Sequence, residues 1–317
     1  MKFDVIIGNP PYQSIEDGNK KKLRTIYQKF VDLGKGLSPN YLSMIIPSRW
    51  FSGGKGLDGF RKSMLNDRRI KIITDFFGKS TIFKTVQIAG GVLYFIWNKD
   101  YRGDCEYEFN FNGLKTKSKR PLNEFDNFIR FNIGVDVVKK VREFKEASFI
   151  DIVNPAQHFM KDYTFSDYKK EQSDEFPLKM FLRYGEIGFV NRDQIKRNHE
   201  TIDKYKIYMK GIFGVVDLPY KVLPTPIFGD KGAVCSDSFN VVGPFDSKVY
   251  TENVISYMKT KFFRFLVLLL KSTPQTPRKV YSFVPFQDFS KPWTDQELYE
   301  KYNLNREEID FIESMIK

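Results

Sequence analysis

The sequence predicts an open, partly parallel α/β sheet followed by a second, mixed α/β domain. Two observations carry the first part. Val5-Ile6-Ile7 is a short β-branched run that closes at Gly8 and then stops at two prolines, as a strand buried on both faces does at the end of a parallel sheet. Downstream, apolar strand-like runs alternate with stretches of helical period. The third observation is length. With 317 residues, the chain has room for two domains.

The elements follow in order. Pro10 and Pro11 lack the N–H that a ladder or a helix interior requires, and each pushes the residue before it toward extended backbone. The result is a stiff loop, Asn9-Pro10-Pro11-Tyr12, at the carboxyl end of the strand, where open α/β sheets place their ligands. Gln13 to Arg24 is polar, with three consecutive lysines and a turn signal at Gly18-Asn19, and reads as a mobile loop. Thr25 to Leu37 carries Ile26, Tyr27, Phe30, Val31 and Leu33 at helical spacing. Tyr41 to Pro47 reads as a buried strand, Gly59 to Asn66 as a helix, and Ile70 to Phe77 as a third strand. Val86 to Trp97 reads as a fourth, in which Gly90-Gly91 marks a bulge or a close backbone approach. Phe109 to Gly113 gives a strand and turn, beside a basic cluster of Lys115, Lys117, Lys119 and Arg120, and Val135 to Phe144 a helix. A boundary between about 120 and 145 divides the chain into 1–120 and 121–317. In the second part, Asn253 to Leu270 reads as one amphipathic helix, Thr294 as the N-cap of another, and Glu307 to Ile316 as the last.

Composition narrows the function classes. Lys and Arg number 51 against 39 Asp and Glu, a formal charge of +12, with 31 Phe and 17 Tyr. Positive charge suits phosphates and rings suit bases. Two cysteines, Cys105 and Cys235, and two histidines, His158 and His199, make neither a disulfide framework nor a ligand set at metal spacing, so no metal is expected. The longest apolar run, Phe265 to Leu270, is far below spanning length, and no signal-peptide pattern opens the chain. The expectation is a cytoplasmic protein without membrane contact.

The Asn9-Pro10-Pro11-Tyr12 loop resembles the catalytic motif of the amino-group DNA methyltransferases that act on adenine N6. The residue types fit that chemistry. An exocyclic amine conjugated to a purine is a poor nucleophile, and acceptors aimed at its two hydrogens favour the charge that develops on nitrogen as it attacks a methyl sulfonium. The Asn9 side-chain oxygen and the Pro10 carbonyl can supply those acceptors, and Tyr12 offers a flat face to a flipped base. The resemblance continues through Ile26 to Phe30, Leu42 to Phe51, and Ser80-Thr81-Ile82-Phe83 with the strand after it. It implies Asn9, Pro10, Pro11 and Tyr12 as catalytic residues, Tyr12 and Phe83 as base-stacking residues, and S-adenosyl-L-methionine as the methyl donor. Gly54-Lys55-Gly56-Leu57-Asp58-Gly59, with Asp75 beyond it, spells a dinucleotide fingerprint. Ser48 to Gly53 separate it from the strand, however, so it reads as a flexible loop before a helix.

In the resembled proteins the donor sits over strands that precede the catalytic motif, and this sequence shows no Gly-rich first-strand turn on either side. The first part therefore reads as a partial Rossmann-like methyltransferase sheet with an incomplete donor site, in which Val5 to Ile7, central by composition, is left as an exposed apolar edge. It implies a second polypeptide that supplies the cofactor-binding half, or that carries a nuclease or helicase. Residues from Phe181 onward, including Arg183 to Gly188, Asp203 to Tyr208 and Ala233 to Val242, resemble the target-recognition regions of fused restriction-modification proteins. Their basic and aromatic character is taken to favour double-stranded DNA as the partner. Two other readings share the motif: a non-catalytic DNA-binding remnant, and a methyltransferase of RNA or of protein glutamine.

Overall fold

The computed structural model describes residues 3–16, 19–52, 54, 56–78, 82–83, 88, 90–160, 167–214, 218–271 and 273–317. The chain divides into two compact units, Met1–Gly134 and Val135–Lys317.

In the first unit, β1 (Val5–Gly8) leads through the proline loop into a hairpin, β2 (Gln13–Glu16) and β3 (Asn19–Thr25). Then come α1 (Tyr27–Gly36), β4 (Tyr41–Pro47), α2 (Asp58–Leu65), β5 (Ile70–Phe77), β6 (Val92–Asn98), β7 (Cys105–Phe111) and β8 (Leu114–Arg120). Six strands make one sheet in the order β1-β4-β6-β5-β7-β8. β1 is parallel to β4, and β5 to β7, while β6 runs antiparallel between β4 and β5. From this register the carboxyl ends of β1, β4, β5 and β7 lie at one end of the sheet. Tyr27, Val31 and Gly34 are the buried positions of α1, one helical face. A Cβ on Gly34 would stand 2.9 Å from Leu42 of β4, so the glycine lets α1 approach the strand closely.

β1 is covered on one face only. Its partners Ile6 and Gly8 align with the buried Leu42 and Met44. On the other face Val5 is 53% exposed, Ile7 80% and Tyr41 46%. A strand of this composition is ordinarily buried on both faces; here it is the exposed apolar edge expected where no strand is supplied on its far side. β1 is a sheet edge, and its apolar sequence is what a central strand would carry.

The hairpin corrects an expectation. Gln13 to Arg24, read as a mobile loop, is a pair of antiparallel strands with Ile15 opposite Leu23 and Ser14 opposite Arg24. Its polar sequence lacks the apolar alternation of a half-buried strand because neither Ile15 nor Leu23 meets a core; they are 60% and 52% exposed. Asp17 and Gly18 lie outside the described residues.

Helix α3 (Asn132–Glu143) spans the division between the units. The second unit continues with β9 (Val153–Asn154), β10 (Leu178–Phe181), β11 (Ile187–Val190), β12 (Tyr205–Lys210), β13 (Ile227–Gly229), β14 (Ala233–Cys235) and β15 (Phe239–Phe245). They form a three-stranded sheet, β11-β10-β14, and a four-stranded one, β13-β12-β15-β9. Helices α4 (Lys248–Lys259), α5 (Lys261–Leu268), α6 (Asp295–Lys301) and α7 (Arg306–Met315) follow. The single helix expected over Asn253 to Leu270 is two. Thr260 adopts extended backbone and its side chain accepts from the Phe263 amide, capping α5. Phe149 packs edge-on against Phe263 and Phe289 and tilted against Tyr257 and Tyr281, at the centre of an aromatic core. Among the described residues no helix is long and apolar enough to cross a membrane.

Candidate active site

The proline loop leaves β1 at the carboxyl end of the parallel strands. Residues 9–12 are irregular, with Asn9 and Pro11 exposed, Pro10 buried and Tyr12 half-buried. The Asn9 carboxamide is therefore accessible, while Pro10 holds the backbone beneath it against the body of the unit. The Tyr12 carbonyl accepts from the Ile26 amide at 3.2 Å. This bond closes the base of the β2–β3 hairpin and ties the loop to the start of α1. The Tyr12 hydroxyl is enclosed with no hydrogen-bond partner among the described residues, and burial raises its pKa. Tyr12 is thus a half-buried neutral phenol.

Phe83 is half-buried in a short irregular stretch. Ser80, Thr81 and 84–87 lie outside the described residues. β5 ends at Phe77 and β6 begins at Val92, which pairs with Pro47 of β4. The connection that carries Phe83 therefore starts and ends at the same end of the sheet as the proline loop.

A polar cluster behind these connections escaped the sequence reading. Asp75, near the end of β5, is fully buried. The Ser48 hydroxyl donates to its Oδ1 and the Tyr107 hydroxyl to its Oδ2, the latter at 3.3 Å. Arg130 Nε lies 2.8 Å from Oδ2, an ion pair by distance though not by hydrogen-bond angle, and its Nη2 donates to the Gly90 carbonyl. The guanidinium also lies over the rings of Phe51 and Phe77, at 5.2 and 4.4 Å from their centroids. Burial pushes the Asp75 carboxyl above its ordinary range, while Arg130, Ser48 and Tyr107 pull against that rise. The Ser48 amide donates to the Gly91 carbonyl at 3.0 Å. Gly91 has φ +86°, and an added Cβ would stand 2.5 Å from the Phe76 carbonyl oxygen, so only glycine fits there. The cluster clamps the turn after β4, the end of β5 and the turn before β6 into one unit. Its signal in the sequence was an aspartate inside the apolar run Ile70 to Phe77, since a buried carboxylate requires partners.

The same geometry disposes of the glycine fingerprint. Asp75 is enclosed and paired, so it cannot reach a ribose. Asp58 sits in the first turn of α2 and pairs with Arg61 at 2.7 Å, which places a negative charge where a pyrophosphate would need the helix dipole. Gly53 and Lys55 lie outside the described residues. A cavity of about 300 Å³, lined by Leu65, Asp67, Ile70, Cys105 and Leu122 among others, opens at the amino ends of β5 and β7. That is the wrong end of the sheet for the motif, and we assign it no part in the chemistry. Among the described residues no group of three or more His, Cys, Asp or Glu is placed to hold a metal ion.

Residues 1–83 match the Eco57I restriction-modification methylase family. That match contains β1, the proline loop, the hairpin, α1, β4, α2, β5 and Phe83. A Mycoplasma pneumoniae protein described as an uncharacterized adenine-specific methylase is 44% identical over 132 residues, which cover 38% of this chain and 31% of that protein. This chain therefore spans about a third of its relative. Both sequence likenesses are to proteins described as methylases, and the family description adds restriction-modification. Among solved structures, the type IIL restriction-modification enzyme MmeI in complex with DNA aligns over 86% of this chain and 45% of its own, at 9% identity and TM-score 0.44. The type IIG restriction endonuclease BpuSI aligns over 95% and 49%, at 12% identity and TM-score 0.37.

The distribution of charge corrects one expectation. Met1–Gly134 holds 23 Lys and Arg against 13 Asp and Glu, whereas Val135–Lys317 holds 28 against 26. The excess of +12 is almost all in the first unit, and the second unit, expected to be basic, is nearly neutral.

Proposed function

We propose that this chain carries the base-handling part of a DNA adenine-N6 methyltransferase of a restriction-modification system. The observation that carries the reading is the exposed Asn9 on a proline-stiffened loop at the carboxyl end of a parallel strand. The Asn9 side-chain oxygen and the Pro10 carbonyl accept the two hydrogens of the adenine amine and favour the positive charge that develops on nitrogen. Tyr12 stacks on the flipped base, and Phe83 closes on it from the connection between β5 and β6. Pro11 fixes the direction of the loop. Residues 121–317 act as the target-recognition domain.

S-adenosylmethionine is the donor that the methylase likeness implies, and the described residues do not by themselves fit it. Asp4 stands at the amino end of β1, where its Oδ1 accepts from Asn40 at 2.9 Å. Asp75 is enclosed. Among the described residues, the side of β1 away from β4 bears no strand. The donor site is completed by polypeptide that pairs with the open edge of β1 and covers Val5 and Ile7, whether in a partner or in a longer chain.

The test is methyl transfer to duplex DNA with and without that polypeptide, beside calorimetry with the donor. The chain alone is expected to bind little donor and to methylate nothing. The completed assembly is expected to yield N6-methyladenine. Asn9→Ala should lower that yield by about 100-fold or more, as loss of an electrostatic contact to a reacting group does, with DNA affinity unchanged within twofold. Full turnover by Asn9→Ala, or transfer to RNA or a protein glutamine with DNA untouched, refutes the reading.

A further inference from the structure

The turn after β4, Ser48–Phe51, presents an arginine that no acid of the unit neutralises. Gly8 of β1 lies beside Met44 of β4 in parallel register. This turn and the proline loop therefore leave neighbouring strands, about 4.8 Å apart, at the same end of the sheet. The turn is held at three of its four residues. Ser48 is bound to Asp75, the Trp50 carbonyl accepts from Arg61 Nε at 2.7 Å, and the Phe51 carbonyl accepts from the Phe128 amide at 3.0 Å. Those three residues are buried, and Arg49 is left half-buried between them. Its Nε is enclosed without an acceptor, and among the described residues its guanidinium makes no hydrogen bond or ion pair. The three fully buried arginines of this unit each have an acid and a carbonyl. Arg61 meets Asp58 and the Trp50 carbonyl, Arg120 meets Glu124 and the Ile129 carbonyl, and Arg130 meets Asp75 and the Gly90 carbonyl. The surroundings of Arg49 lack acceptors too. Trp50 Nε1 and the Tyr27 hydroxyl, on residues 0% and 1% exposed, have no partner. Burial raises the Tyr27 pKa, and the nearby charges of Arg49 and Arg61 oppose that rise. A partly desolvated cation kept without a counter-charge costs stability, and such costs collect at functional sites.

We propose that Arg49 is a phosphate anchor for the target nucleotide, holding a phosphodiester that flanks the adenine whose amine meets Asn9. The inference rests on the proposed DNA substrate and goes beyond it in naming the residue that holds the backbone where the base leaves the stack. The planar guanidinium matches two phosphate oxygens at once. Partial burial lowers the local dielectric and strengthens a charged contact there. The position follows from the sheet. A base that reaches Asn9 brings its own phosphates to the same end of the parallel strands, and Arg49 stands in the turn of the adjacent strand. Because Ser48, Trp50 and Phe51 are fixed on either side of it, the backbone that carries the guanidinium is already in place before DNA arrives. A phosphate contact positions a nucleotide without reading it, so the choice of adenine stays with the proline loop.

The experiment uses the full chain and a labelled duplex of about 25 base pairs in which one adenine faces an abasic site, so that the base leaves the stack at low cost. A second duplex carries uncharged methylphosphonate linkages on both sides of that adenine. Affinities are read by fluorescence anisotropy. Removing the guanidinium, by Arg49→Ala, or the phosphate charge should each weaken binding by about tenfold or more. Removing both should cost little beyond either alone, because groups in contact are not additive. Arg49→Lys should keep part of the affinity, since it retains the charge and loses the fork. Arg49→Met should bind as weakly as Arg49→Ala with an unfolding midpoint unchanged or raised, which separates a lost contact from lost folding. If the two losses multiply, if either is absent, or if Arg49→Met lowers the midpoint, the anchor is refuted and the DNA substrate stands. If the wild type binds neither duplex even at low salt, the anchor and the DNA reading fall together.

Discussion

The two units differ in what stands at their centres and at their strand edges. The first encloses an ion pair, Asp75 with Arg130, behind its candidate site and leaves Val5, Ile7, Ile15 and Leu23 in water. The second encloses rings. Phe149, Tyr257, Phe263, Tyr281 and Phe289 are all at 0% exposure. Its two deeply buried lysines are satisfied by loop carbonyls rather than by acids. Lys206 donates to the carbonyls of Thr201, Ile202 and Lys204, and Lys271 to those of Thr273, Pro274 and Gln275. Burial lowers both lysines to a pKa of about 8. The second unit is centred on that aromatic core, whereas the first is clamped around Asp75 and bears an exposed strand at its edge. An exposed apolar strand edge is a liability that proteins ordinarily cover, and among the described residues that edge belongs to the first unit.

Substitutions that break this contrast should differ in size. Phe149→Ala removes a ring from the aromatic core and should cost about 3–5 kcal/mol in the second unit, measured by denaturant unfolding. A cost under about 1 kcal/mol would mean that the aromatic core does not hold that unit together. Arg130→Ala leaves Asp75 buried without its cation and should cost about 3 kcal/mol or somewhat more. Arg130→Met together with Asp75→Leu should recover much of that loss, because an apolar pair carries no uncompensated charge. If the single and double variants are equally unstable, the clamp acts through packing alone.

A smaller effect depends on pH. His158 is buried, 3.1 Å from the Thr201 hydroxyl, and burial is the largest cause lowering its pKa to about 4 from an ordinary 6.5. Its folded pKa lies below its unfolded value, so the unfolded chain binds the extra proton between these limits. Stability of the second unit should be full above pH 6.5 and should fall by about 2–3 kcal/mol as the pH drops from 6.5 to 4. His158→Gln should flatten that part of the profile, and an unchanged profile would show that another group sets it. The smallest expected change is at the open edge. Ile7→Thr should alter the stability of the chain alone by less than about 0.5 kcal/mol, as exposed substitutions do. A larger loss would mean that β1 is already covered in the isolated chain, by a second copy for example, which sedimentation would detect.

Much of the first unit was legible because its elements are governed by local chemistry. The apolar runs Tyr41 to Pro47 and Ile70 to Phe77 are strands over those spans, and the prolines end β1 where their missing N–H requires. The helix start at Thr294 also followed from its side chain, which caps α6 by accepting from the Glu297 amide. The errors came where the answer lies in the surroundings. Asn19 to Thr25 forms a strand by pairing across the hairpin, which no apolar alternation announces when both faces meet water. The break at Thr260 depends on a hydroxyl capping an amide inside an otherwise continuous apolar pattern.

The candidate site divides in the same way. The sequence by itself determined the proline loop, because Asn-Pro-Pro-Tyr after a β-branched run sets backbone direction and chemical groups within four residues. Tertiary structure alone decided what surrounds it. Arg130 meets Asp75 across 55 positions of sequence, through a hairpin added at the far side of the sheet, and this contact locks the turns that flank Phe83. The positive charge is visible as a total of +12 in composition, but its concentration in one unit appears only once the fold divides the chain. Local residues fix which atoms can accept a proton or stop a strand. Long-range packing fixes which of them are brought together, and which are left exposed.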